Sequence, residues 1–504
     1  MINKLKNSDL DWIAIIVPLI GILALGLVFI LVPEQSENFL NRARGLFGDS
    51  LGIYYILIGA LIFGVTMYMA FSKHGKIKLG NVDKPAHSNF TWGALIFTAT
   101  MAADLIFFSL SEWAMYMSEP RVSELGDPYL WSATFPLFHW GPIAWSFYIV
   151  LAVAFGYMLH VRGATRQKFS EATRPLFGDK IDGPLGKIID LVAIFALLAG
   201  TATTFSLATP LIASALGHVF GISASAAFTI IILLIVAAVY TIALLTGIKG
   251  ISRLARFCVY IFFVLLIYVL VLGGEGRFIL ETGVASIGNL TQNFIGLATW
   301  TDPLRGDSFP QNWTIFYWAY WMAWCVATPF FIGIISKGRT IKNTILGGYA
   351  WGLAGTFTSF IILGNYGLAQ QARHGLDVST PIYYGYSVAD QIVRIFETLP
   401  FPTVALLLLA VSMVIFYAST FDALTYIISG YSYKKLSPSS EPKRGIRVFW
   451  AIILIIFPIG LIFSESALYN LQSVAIIAAF PIGIIITLIV ISFFKDVRSK
   501  NKNR

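Results

Sequence analysis

The sequence predicts an all-α integral membrane protein of about twelve transmembrane helices. Three observations predict it. Of the 504 residues, 57% are hydrophobic and only 12% charged, with a mean hydropathy of +0.76, whereas soluble domains carry about 25% charged residues. Apolar runs of about 20 residues, the length that crosses a bilayer as a helix, recur from end to end, in place of the weak alternation of an outer-membrane barrel. Successive loops alternate between basic and neutral or acidic, as the positive-inside rule requires of a multi-pass chain.

The spans fall at about 12–32, 51–72, 91–117, 136–161, 185–216, 223–247, 252–273, 311–336, 342–367, 399–430, 446–464 and 471–494. The first is too long for the apolar region of a signal peptide and lacks a small-residue cleavage site, so it reads as a retained span. With the N-terminus in the cytoplasm, the inner loops carry Lys73, Lys76, Lys78 and Lys84, then Arg162 to Lys180, then Lys249, Arg253 and Arg256. The series continues with Lys337, Arg339 and Lys342, then Lys434 to Arg447, then the tail from Lys495 to Arg504. Outer loops are acidic or nearly neutral, as with Glu119, Glu124 and Asp127 against Arg121. Both termini are therefore expected in the cytoplasm of a cell-membrane protein, and the net charge of +9 reflects topology, not nucleic acid.

Two outer loops are long. Gly273 to Gln311 reads as holding a helix along the membrane surface, and Gln371 to Thr398 as holding a short one at Val388 to Phe396, with Asp390 and Arg394 on its polar side. Cys258 and Cys325 lie in or beside spans and imply no disulfide framework. No phosphate loop, dinucleotide fingerprint, metal-ligand spacing or nucleophile–base pair is present, so neither an enzyme nor a cofactor is expected.

The run from Phe316 to Thr340 carries Trp318, Tyr320, Trp321 and Trp324 in an otherwise apolar span. Ring faces attract organic cations, so such crowding suits either a cation cage or an interfacial belt. A second cluster runs from Phe138 to Tyr148, where Trp145 and Tyr148 share a helical face and Trp140 stands beyond a Gly-Pro break. Rings from two separate helices suffice to box a trimethylammonium group. Ionisable residues inside spans are costly and functional by default. Asp104 is the sharpest, mid-span among small residues with no basic residue in its helix. Asp422 follows, beside the hydroxyls of Ser419 and Thr420. Glu112 and Asp190 lie near span ends, where snorkelling or capping accounts for them, and His139 reads as a hydrogen-bonded packing residue. Gly200 to Thr204 places small and hydroxyl residues at mid-span.

These motifs resemble the betaine/carnitine/choline transporter family over nearly the whole chain. The residues that carry the resemblance are Phe138 to Pro142 with Trp145 and Tyr148, Phe309 to Thr314, Phe316 to Trp321 with Trp324, and Ile335 to Thr340. The resemblance implies a LeuT-like core of two inverted five-helix repeats and a homotrimer. Its parts would be two N-terminal helices (1–90), a first repeat (91–274), an extracellular loop with a surface helix (275–310), a second repeat (311–494) and a short cytoplasmic tail (495–504). Trp140, Trp145, Tyr148 and Trp321 match the family's aromatic box, and Tyr320 and Trp324 match further rings on the substrate path, Tyr320 in place of a usual Trp.

Members that carry betaine have a glycine-rich stretch where this chain has Met101-Ala102-Ala103-Asp104, and choline-carrying members resemble it in having the Asp. A carboxylate beside a cage favours a cation and repels the carboxylate of betaine, so the expected substrate is choline or a related cationic amine. Glycine betaine, carnitine or γ-butyrobetaine transport is the alternative, and a membrane ligand sensor is the alternative of another class. Ser419 and Thr420, with backbone oxygens near Thr98, Met101 and Phe416, match one Na⁺ site of the sodium-coupled members. Thr201 matches one hydroxyl of their other site, where Leu197 stands in place of a second. Asp104 leaves H⁺ open as the coupling ion.

Overall fold

The computed structural model describes residues 9–99, 102–245, 248–436, 441–462 and 467–502. Among these residues it is helical apart from loops and two isolated β-bridges, Leu10 with Tyr433 and Lys78 with Thr340. All twelve apolar stretches are helical. The first two spans are α1 (Trp12–Leu31) and α2 (Ile53–Phe71). They turn Ile20, Leu31, Leu57 and Leu61 outward, as a lipid-facing helix does.

The third stretch is two helices, α3 (Asn89–Thr98) and α4 (Ala103–Met117), whose axes differ by 67°. Ala102, just before α4, is extended, outside the helical region. The fourth stretch begins earlier than expected, as α5 (Pro128–His139), and resumes as α6 (Pro142–Tyr157). Gly141 is required there: a Cβ would lie 2.2 Å from the Leu137 carbonyl oxygen. Pro142 has no N–H to continue α5 and starts α6 with its fixed φ.

The long helix α7 (Pro184–Phe220), α8 (Ala226–Leu245) and α9 (Ile248–Ile267) follow. At Gly273-Gly274 the chain bends by 110° into α10 (Gly276–Thr299), a 24-residue helix within the stretch 273–311 where a helix is expected. The aromatic run from Phe316 is again two helices, α11 (Ile315–Trp324) and α12 (Thr328–Ile335), bent by 57° where Pro329 removes a backbone donor. Beyond these lie α13 (Ile341–Ser359), the short α14 (Val388–Glu397), α15 (Pro402–Tyr431), α16 (Arg444–Ile462) and α17 (Ala467–Lys502).

Close packing sets α6, α12 and α13 around the middle of the molecule. Phe155 of α6 stacks on Phe330 of α12 at 3.8 Å, and a Cβ on Gly333 would lie 2.9 Å from the Ala152 carbonyl oxygen. Gly352 of α13 admits the Trp145 indole, 2.7 Å from where its Cβ would stand. Every residue of α11, and of α4 from Ala103 to Tyr116, is buried.

The basic loops gather on one face. Arg339 donates to Asn89 and to the carbonyls of His87 and Ser88, Arg162 pairs with Glu171 and Asp496, and Lys500 donates to the Val161 carbonyl. Within the same loop Arg174 and Arg166 clamp Asp182, and the Arg174 hydrogen bonds hold its carboxyl down at about 2. Residues 437–440, in the basic loop between Lys434 and Arg447 that reads as a linker, lie outside the described residues.

Candidate functional site

A cavity of about 480 Å³ lies between the two broken helices. It is lined by Asp104, Trp140, Trp145, Tyr148, Tyr320, Trp321 and Trp324, all seven substrate-site residues chosen from the sequence. From there it runs past Phe330 and Phe331 to Gln167, Tyr426 and Ile427, beside Lys168 and Lys434 on the basic face.

Trp321 is the centre of the aromatic wall. Its ring centroid lies 5.5 Å from Trp140, 5.5 Å from Trp145 and 4.7 Å from Tyr148, and Trp145 and Tyr148 stand 5.7 Å apart. The planes meet at 55–75°, the tilted contacts that aromatic quadrupoles prefer. Gly200 of α7 lets Trp324 approach, its Cβ position being 3.1 Å from the indole nitrogen. Trp318 faces away from the cavity, packed on Phe138 and His139.

Asp104 sits in the first turn of α4. Its Oδ1 accepts from its neighbour's amide, Leu105, at 3.0 Å, and its Oδ2 accepts from the Tyr320 hydroxyl and from Thr204 Oγ1 at 3.3 Å. Thr204 and Tyr320 also share a hydrogen bond of 2.6 Å. These donors are neutral, and no Lys, Arg or His among the described residues pairs with the carboxylate. The indole N–H groups of Trp145 and Trp321 are buried and find no acceptor among the described residues.

Of the residues matched to ion sites, Thr98, Ser419 and Thr420 line the same cavity. Thr420 donates to the Phe416 carbonyl at 2.9 Å and Thr98 to the Ala94 carbonyl at 2.6 Å, which leaves hydroxyl lone pairs free for a cation. Met101 and the side chain of Asp422 lie outside the described residues. Thr201 is not on the cavity wall; it donates to the Leu197 carbonyl at 2.7 Å. Its helix neighbour Thr204 is the residue that reaches the site. Counting one turn from Gly200 would have found it, because positions i and i+4 share a face.

One reading of a buried polar residue changes, one is sharpened and one residue is added. Glu112 neither snorkels nor caps: it is completely buried and accepts from Trp140 Nε1 at 2.9 Å and from the Tyr116 hydroxyl. Asp190 does cap, but on a neighbouring loop, where it accepts from Ser170 N at 3.1 Å and Ser170 Oγ at 3.0 Å. Thr356, missed in the sequence, lines the cavity and donates to the Trp140 carbonyl at 3.1 Å. His139 is the hydrogen-bonded packing residue expected, between Tyr116 and Thr314.

An all-helical membrane protein with two discontinuous helices facing a buried central cavity has the architecture of a secondary carrier. Comparison with known proteins gives the particular class. Residues 13–502 match the sequence model of BCCT, the betaine/carnitine/choline family transporter, and the chain belongs to that family. A probable glycine betaine transporter of Desulfitobacterium hafniense is 31% identical over 94% of this chain and 96% of its own. The glycine betaine transporter OpuD of Bacillus subtilis is 28% identical over 98% and 95%. The high-affinity choline transport protein of Escherichia coli is 26% identical over 96% and 71%. The protein is thus a multi-pass secondary transporter of this family.

Proposed function

We propose that this carrier takes up choline or a related cationic amine, coupled to Na⁺ or H⁺, by alternating access. Asp104 carries the reading. It is a buried carboxylate on the wall of the cavity that holds the four touching rings, and its hydrogen bonds come only from neutral donors. A carboxylate out of water without a counter-charge is costly. A quaternary ammonium docked on the rings supplies that charge, with each ring contact contributing roughly 0.5–2 kcal/mol. Because the rings touch one another, the cation rests on their cavity side and not between them.

For coupling, Thr98, Ser419, Thr420 and the carbonyl oxygen of Phe416 form the proposed Na⁺ site, hard neutral oxygens of the kind Na⁺ takes; Met101, matched to the same site, lies outside the described residues. A second ion at Thr201 would use the lone pairs that its bond to the Leu197 carbonyl leaves free, with no second hydroxyl at Leu197 to share it. Asp104 is the group that would hold a transported proton. The broken helices α3–α4 and α11–α12 each open one of the proposed inverted repeats, 91–274 and 311–494, and place helix ends at mid-membrane where such carriers bind substrate. With the basic face in the cytoplasm, the cavity is open inward. The proposed assembly is a trimer.

A specific observation favours the second reading, glycine betaine or carnitine. Two of the relatives above are named for glycine betaine, and the indole N–H groups of Trp145 and Trp321, without an acceptor among the described residues, are suited to a carboxylate. Uptake of labelled choline, glycine betaine, carnitine and γ-butyrobetaine into proteoliposomes, with Na⁺ and pH gradients imposed separately, tests both. The proposal expects choline to be concentrated under one of the gradients. Uptake of betaine or carnitine without choline sinks it in favour of the second reading, and uptake of none of them sinks both.

A further inference from the structure

Behind the aromatic wall is a buried polar cluster, Glu112, Tyr116 and His139, none of which lines the cavity. Glu112 of α4 accepts through Oε2 from Trp140 Nε1 at 2.9 Å and through Oε1 from the Tyr116 hydroxyl. His139, at the end of α5, reaches the Tyr116 hydroxyl through Nδ1 and Thr314 through Nε2, at 2.5 and 3.1 Å. Tyr317 of α11 stacks on the His139 ring at 4.8 Å with planes 16° apart. Glu112 and His139 are both 0% exposed.

Trp140 is the ring of the wall with the least support from its own helix, because it stands in the gap between α5 and α6. Its carbonyl is held by Thr356, and its indole N–H donates to Glu112, with the Tyr317 side chain beside it. Rotating the ring would strand both a buried N–H and a buried carboxylate oxygen, each costly out of water.

We infer that Glu112 is a positioning residue for transport: its hydrogen bond to Trp140 sets the ring that, against Trp321, forms one side of the cation site. The Tyr116 and His139 links extend this hold to α5 and α11, so the wall moves as one body with the elements that carry it. Charge on Glu112 is not what the role requires. An acceptor oxygen at that place is, so Glu112→Gln preserves it, with the Tyr116 hydroxyl turning its proton towards His139.

The inference rests on the proposed substrate class, and the test separates the two. Binding of labelled choline and labelled glycine betaine to purified full-length protein is measured for wild type, Glu112→Ala, Glu112→Gln, Trp140→Phe and the Ala–Phe double variant, together with KM and maximal uptake in proteoliposomes. Glu112→Ala should weaken binding of whichever probe the wild type takes by at least about fivefold and raise KM, with maximal uptake per folded transporter within about twofold. Glu112→Gln should stay within about twofold of wild type. The double variant should bind no more weakly than Trp140→Phe alone, because the two residues act through one bond. If the alanine variant does not fold, Glu112→Met, which fills the space without an acceptor, takes its place in the cycle. Unchanged binding in these variants, additive effects of the two substitutions, or a loss confined to the number of folded transporters would overturn the assignment and leave the substrate reading standing. A wild type that binds neither probe overturns the substrate reading and this inference with it.

Discussion

At the scale of single residues the site separates rings that touch one another from rings that only crowd the sequence. Trp318 and Trp321 stand three apart in one helix, yet only Trp321 faces the cavity and meets Trp140, Trp145 and Tyr148. Trp321→Ala removes the ring at the junction and should lower choline uptake by more than about tenfold, equivalent to about 1.4 kcal/mol, with membrane expression retained. Uptake within twofold of wild type would remove Trp321 from the site. Asp104 and Tyr320 were both legible as departures from the family pattern. That they hydrogen-bond to each other was not, because nothing in their spacing says that α4 and α11 approach there. Glu112 was misread for a related reason. A position near the end of a span suggests contact with water, and only the packing of α5 and α11 around α4 closes the water out.

At the scale of elements, the twelve apolar runs located the helices because hydropathy reports length and lipid exposure directly. The breaks were less visible. Gly141-Pro142 announced itself through residue type, whereas the mostly small residues of 99–103, Met101 excepted, are compatible with tight packing or with unwinding. Glycines at element crossings show their purpose only in three dimensions. Gly352 is one: a Cβ there falls 2.7 Å from the Trp145 ring. Gly352→Ala should therefore displace Trp145 and weaken choline binding by about fivefold or more, since overpacking typically costs about 1–3 kcal/mol. Equilibrium binding on the purified variant checks this, and wild-type affinity in a well-folded sample would show that α13 does not hold the box.

At the scale of the whole molecule, the cavity opens on the face where the basic loops gather, so the proposed topology and the proposed state of the carrier are tested together. A single cysteine at Ile427, in a background with Cys258 and Cys325 replaced by alanine, should react with a membrane-impermeant thiol reagent from the cytoplasmic side. Labelling only from the outside would invert the topology. The sequence could reach this scale only through loop charge, which fixes sides but not which side is open. The central claim is that a carboxylate beside an aromatic wall selects a cation. Asp104→Gly is a clean test of it, because Thr204 remains as a partner for the Tyr320 hydroxyl at 2.6 Å. The measurement is the ratio of choline to glycine betaine uptake in proteoliposomes, wild type against Asp104→Gly. A fall in that ratio of about tenfold or more is predicted, and an unchanged ratio would contradict the claim.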